Sequence, residues 1–113
     1  MTIQIIGHKK NNDTKKALRF FKERGVPFQF LDIAEKPLSK GELEHITRHI
    51  PADELIDTTV PEYAKRGYAY MEFDPFIELM AHPLLLKIPI VRTKKDAAVG
   101  HRPELWREWI EKE

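Results

Sequence analysis

The chain has 113 residues and no cysteine, and its 19 basic and 18 acidic residues leave a formal net charge of +1 at pH 7. This length fits one domain, residues 1–113, which can bury a core without disulfides or a structural metal. Because the charges are balanced and no long apolar run is present, we expect neither a direct nucleic-acid partner nor a membrane environment. The first six residues do not have the pattern of a secretion signal, so the cytoplasm is the predicted location.

The first third of the chain predicts a strand, a helix and a second strand. Ile3–Ile6 is rich in β-branched residues and ends at Gly7, which favours a buried central strand. Apolar residues at helical spacing predict a helix over Asp13–Arg24, ending at Gly25. The apolar segment Pro27–Ile33 predicts a strand that is covered on both faces. Such a unit implies parallel strands and a right-handed crossover.

Residues 39–83 predict a helical insertion. Ser39 and Glu42 match a capping box at the start of a helix that closes at Pro51. Asp74 followed by Pro75 begins another helix. Its predicted buried face consists of Phe76, Ile77, Leu79 and Met80. Only short helical pieces are expected between these two helices.

The last quarter of the chain predicts a β-hairpin and a helix. Ile88–Val91 and Ala97–Val99 form the hairpin strands, and Pro103 begins the helix. The apolar residues of that helix, expected to pack on the sheet, are Leu105, Trp106, Trp109 and Ile110.

This order of elements resembles an α/β thioredoxin-like fold. Four segments narrow the resemblance, with the sequences GHKKNNDTKKA, GVPFQFLDI, HPLLLKIPIVR and VGHRPE. In order and spacing they look like segments of the ArsC/Spx family of arsenate-reductase-like proteins. The similarity covers nearly the whole chain.

The resemblance implies that the family's redox chemistry is absent. The family's catalytic cysteine, sometimes part of a CxxC pair, matches Asn11, and the second position of the pair matches Thr14. Neither side chain forms a thiolate. One arginine that holds the oxyanion in the reductases matches Arg102, but another matches Ile88, and a third has no counterpart, with Asp57 near its place. No catalytic residue is therefore expected.

Two ligand sites are candidates. The resemblance makes Ile88-Pro89 a cis-proline turn whose backbone can pair with an extended thiol or peptide. The alternative is that Pro89 merely begins an edge strand, where proline is tolerated. The second candidate is an anion site at the start of the first helix, composed of Lys9, Lys10, Asn11, Asn12 and Thr14, with Arg102 nearby. Its alternative is a solvated lysine surface.

The leading functional hypothesis is a non-redox binding or regulatory module for a small anion or a protein partner. The family includes regulators that contact RNA polymerase, and this resemblance suggests a transcriptional role. The alternative is an arsenate-reductase-like or glutathione-dependent oxidoreductase or transferase that borrows an external thiol. No cofactor is expected, with glutathione or an oxyanion as candidate ligand. No metal is expected either, because His45 and His49 lack a third ligand.

Overall fold

The computed structural model describes residues 2–112 and contains one four-stranded mixed sheet. The strands are β1 (Ile3–Gly7), β2 (Phe28–Asp32), β3 (Ile90–Arg92) and β4 (Ala97–Val99). They are ordered β2-β1-β3-β4, with β1 parallel to β2 and antiparallel to β3, and β4 antiparallel to β3. The predicted thioredoxin-like α/β fold and the central place of the first strand are confirmed.

Between residues 2 and 112, five helices and three short 3₁₀ turns accompany the sheet. The helices are α1 (Asn12–Glu23), α2 (Lys40–Thr47), α3 (Pro61–Lys65), α4 (Pro75–Ala81) and α5 (Pro103–Glu111). The 3₁₀ turns are Ala52–Leu55, Tyr68–Tyr70 and Pro83–Leu85. None of the helices between residues 2 and 112 has the length and apolar character needed to cross a membrane.

The sheet separates two hydrophobic cores, because alternate residues of a strand point to opposite faces. Ile3 and Ile5 of β1 face α1 and α5, where Phe20 packs edge-on against Trp106 with ring centroids 5.2 Å apart. Ile6 faces the helical insertion instead. The buried residues of that second core include Leu43, Ile46, Leu55, Tyr68, Leu79, Leu85 and Leu86. The insertion therefore has its own core.

A polar contact ties the insertion to the sheet. The side-chain amide of Gln4 on β1 donates to Glu42 Oε2 on α2 at 2.8 Å, and Arg92 on β3 donates to Gln4 Oε1. Glu42 also completes the predicted capping box with Ser39. These partly buried polar groups are all hydrogen-bonded, which stabilises the contact between α2 and the sheet.

Three details of the prediction are wrong. The face of β2 that carries Gln29 and Leu31 is only partly covered, since Leu31 packs against the second core but Gln29 is exposed. Ile77 is 59% exposed, since the short helix α4 turns mainly Leu79 toward the core. The first hairpin strand begins at Ile90, two residues later than predicted, because Pro89 has no N–H to donate to the ladder.

Candidate functional site

The loop after β1 is closed by Asn11. The backbone N–H of Asn11 donates to the carbonyl of His8 at 2.8 Å. The Asn11 side-chain oxygen then accepts from the backbone N–H of Thr14 at 2.8 Å and from its hydroxyl at 2.9 Å. Asn11 is thus the N-cap of α1, two residues before Asp13, where the sequence predicts the helix to begin.

Thr14 is fully buried beneath this loop. A Cβ atom added at Gly7 would lie 2.3 Å from Thr14 Oγ1, a distance that real Cβ contacts do not adopt. Glycine at the end of β1 therefore lets α1 approach the strand closely. The position matched to the second cysteine of the family holds the loop against the sheet.

The carboxylate of Asp32 supports the same loop from the end of β2. It accepts hydrogen bonds from the N–H groups of Ala34 at 2.9 Å and Lys9 at 3.3 Å, and it lies 4.0 Å from His8 Nδ1. Burial raises the pKa of Asp32, but the two backbone hydrogen bonds and the nearby charges of His8 and Lys9 outweigh burial and lower it overall. Asp32 thus places an anion behind the loop.

The peptide bond between Ile88 and Pro89 is cis, as the resemblance implies. β3 follows it in the interior of the sheet, so Pro89 does not begin an edge strand. The Pro89 carbonyl accepts from the N–H of Gly100 at 2.8 Å. Within residues 2–112, the N–H and C=O of Ile88 make no hydrogen bond.

Asn11 and Ile88 line one cleft of about 290 Å³. Its other lining residues are His8, Ile33, Asp57, Val60, Pro61, Glu62, Leu84 and Leu86. Residues 55–57 pair antiparallel with residues 85–87, through an Ile56–Leu86 bridge flanked by hydrogen bonds from Lys87 to Leu55 and from Asp57 to Leu85. This pairing brings Asp57 to the cleft.

The other predicted ligand residues do not line this cleft. Lys9 Nζ lies 3.3 Å from Glu35, and Arg102 Nε lies 3.1 Å from Glu104. Lys10, Asn12, Thr14 and Pro89 are also outside its lining. Anion binding at the start of α1 stays a prediction.

Sequence reasoning did not find Val60, Glu62 and Leu84 as parts of the cleft. They come from the insertion, whose short helical pieces have no clear periodicity, and no signal in the sequence indicates that they face Asn11.

His45 and His49 lie side by side, with ring centroids 5.2 Å apart. The ring nitrogens of His45 already contact Arg92 Nη1 at 3.2 Å and the carbonyl of Lys94 at 3.2 Å. In the part of the chain that the structure describes, no three His, Asp or Glu residues are gathered in a way that could hold a metal ion.

Known proteins are similar to this chain in sequence or in fold. The Global transcriptional regulator Spx 2 of Oceanobacillus iheyensis is 30% identical over 127 residues, an alignment that covers 96% of this chain and 93% of that protein. An arsenate reductase from Vibrio cholerae superposes with a TM-score of 0.82 at 20% identity, covering 96% of this chain and 97% of that chain. A putative arsenate reductase from Yersinia pestis superposes with a TM-score of 0.81 at 20% identity, covering 94% and 98% of the two chains. No family model matches the chain.

The fold thus defines a protein with a thioredoxin-like fold. The chain belongs to the ArsC/Spx family, and it is a member without cysteine.

Proposed function

We propose that this protein is a non-redox binding and regulatory module that recognises a protein partner through the cleft between Asn11 and Ile88. The observation that carries the proposal is that Asn11 caps the first helix. At the position that matches the family's catalytic cysteine, its side-chain oxygen is occupied by two hydrogen bonds from Thr14.

The surroundings of Asn11 also support a role without redox chemistry. Thiol exchange needs a thiolate, and the chain has no sulfur nucleophile. One place that matches an oxyanion-binding arginine of the family holds Ile88, and another such arginine has no counterpart, with Asp57 near its place. Arg102, which matches the remaining one, lies against Glu104. An arsenate or phosphate ion would meet carboxylates in this cleft.

The geometry near Ile88 favours an extended peptide as the ligand. A strand that lies beside a free N–H and C=O gains main-chain hydrogen bonds, and side-chain pockets then provide specificity. The cleft volume of about 290 Å³ is close to the lower end of typical ligand pockets. A short peptide segment of two or three side chains fits this size.

A regulatory role is supported by the relative that is named a transcriptional regulator. The family includes regulators that contact RNA polymerase, so RNA polymerase is the first partner to test. Regulation of this kind would take place in the cytoplasm.

The test combines binding and turnover. The ¹⁵N-labelled protein is titrated with the blocked peptide Val-Thr-Val-Gln-Val-Thr-Val and, separately, with purified bacterial RNA polymerase. We expect shifts or broadening at Asn11, Ile88 and their neighbours in the cleft. Arsenate with glutathione and glutaredoxin is expected to give no turnover.

Two exposed apolar residues supply a matched pair of variants. Leu84 lines the cleft and is 45% exposed, whereas Ile77 is 59% exposed and lies outside the cleft. Leu84→Ser should weaken binding, and Ile77→Ser should leave it unchanged. Arsenate turnover, or ligand shifts that avoid the cleft, would contradict the proposal and favour the enzyme or another binding surface.

A further inference from the structure

The side chains that line the cleft carry a net negative charge. Among the ten lining residues that the structure describes there is no Lys or Arg, while Asp57 and Glu62 each contribute a carboxylate. Lys9 of the first loop lies 3.3 Å from Glu35 instead. The remaining lining side chains are apolar, apart from His8 and Asn11.

Asp57 is held in a fixed orientation. Its N–H donates to the carbonyl of Leu85 at 2.8 Å, and its Oδ1 accepts from the N–H of Thr59 at 2.9 Å and from the Thr59 hydroxyl. Oδ2 makes no hydrogen bond to another residue in the range 2–112. This oxygen can accept from a ligand without any rearrangement of the loop.

Glu62 is partly neutralised by its own helix. Glu62 Oε2 lies 3.0 Å from Arg66 Nε, one turn along the chain, and the Glu62 side chain is 26% exposed. Counting Arg66 together with the two carboxylates still leaves the cleft with a net negative charge. The charged groups therefore disfavour an anion and favour a cation.

We propose that the cleft binds an extended segment of a partner protein that carries a Lys or Arg side chain flanked by apolar residues. This inference rests on the proposed function and specifies the chemistry of the partner. The cation lies at Asp57 Oδ2 and Glu62, and its alkyl stem packs on Val60, Leu84 and Leu86. The peptide backbone pairs with the free N–H and C=O of Ile88.

Three blocked peptides test the charge preference. They share the sequence Val-Thr-Val-Xaa-Val-Thr-Val, with Arg, Gln or Glu as the central residue, and affinities are measured by chemical-shift titration. Because the carboxylates are partly exposed, we expect the Arg peptide to bind roughly three- to tenfold more tightly than the Gln peptide. The Glu peptide should bind most weakly, and added salt should reduce the differences.

Charge-neutral variants assign the preference to the cleft. In Asp57→Asn together with Glu62→Gln, the cap on Thr59 keeps its acceptor oxygen, and Arg66 loses its carboxylate partner. We expect the Arg peptide to lose its advantage over the Gln peptide and the Glu peptide to bind at least as tightly as either. Glu108→Gln is the matched control, since Glu108 pairs with Lys112, four residues further along the chain, at 3.2 Å and lies outside the cleft. This control should keep the full preference for Arg.

The other outcomes separate the two proposals. Equal affinity of the three peptides at the cleft of the natural protein would overturn the charge inference and leave the proposed function standing. If no peptide binds and inorganic phosphate instead shifts Lys9 and Lys10, both proposals fail. If free arginine binds as tightly as the Arg peptide, the ligand is a small cation, and the partner segment is contradicted.

Discussion

The side-chain oxygen of Asn11 accepts hydrogen bonds from both the backbone N–H and the hydroxyl of Thr14, at 2.8 and 2.9 Å. A nucleophile needs an atom that is free to attack, whereas a helix cap needs an acceptor that stays in place. Asn11 meets the second need. The place that matches a reaction centre therefore contributes to stability, and this contribution can be measured.

Replacing Asn11 by Ala should destabilise the protein. The variant leaves the N–H and the buried hydroxyl of Thr14 without their acceptor, and loss of an N-cap costs about 0.5–2 kcal/mol. Urea unfolding followed by circular dichroism measures the loss. Asn12→Ala is the control, because Asn12 is exposed and is the first residue within the helix. Equal losses in the two variants would contradict the capping role.

Replacing Asn11 by Cys should create a reactive thiol. The N–H groups and the dipole at the start of α1 favour a thiolate, so its pKa should fall below the ordinary value of about 8.5. The pH dependence of alkylation by iodoacetamide reports this pKa. Glu23→Cys, at the other end of the same helix, is the control. If both thiols titrate alike, the loop no longer supports thiolate formation.

Gly7→Ala should destabilise the protein by roughly 1–3 kcal/mol through overpacking. The new methyl group would meet Thr14 Oγ1 at 2.3 Å and Cγ2 at 2.6 Å. In a Thr14→Ala background both atoms are absent, so the same glycine substitution should cost less. A double-mutant cycle of unfolding free energies measures this coupling, and strictly additive losses would show that Thr14 is not the obstacle.

The stabilising contribution of Asp32 should be lost in acid. Because its pKa is lower in the folded protein than in the unfolded chain, the unfolded chain takes up the proton first as the pH falls. The stabilisation is complete above the unfolded pKa and is lost as the pH falls through the folded pKa.

Urea unfolding at several pH values between about 6 and 2 tests this dependence. Asp32→Asn should lose less stability over that range than the natural protein. Asp53→Asn removes an exposed carboxylate and should follow the natural protein. Glu42, whose pKa is also lowered, accounts for part of the slope that remains in Asp32→Asn.

The sequence predicts the elements of this fold well because their signals are local. Ala17, Phe20 and Phe21 recur at helical spacing and mark α1. The pair Ser39 and Glu42 marks α2, and Pro103 marks the start of α5. Each signal depends on hydrogen bonds or side-chain contacts within a few residues. For most of the predicted elements, the observed ends differ from the predicted ends by one to three residues, because tertiary contacts decide where each element stops.

The cleft is less predictable because its parts come from distant segments. The match of Asn11 and Ile88 to family positions places two of its residues, but the charge of the cleft depends on how residues 55–57 pair with residues 85–87. No local pattern records that pairing. The lysines near Asn11 favour an anion site when read along the chain, whereas the side chains that line the cleft favour the opposite charge.

The two cores on opposite faces of the sheet have one more consequence. Ile5 and Ile6 are neighbours in β1, yet they belong to different cores. Mutations that reshape the insertion side can therefore accumulate while the packing of α1 and α5 is conserved. Such a scaffold can acquire new partners over evolutionary time without first losing its ability to fold.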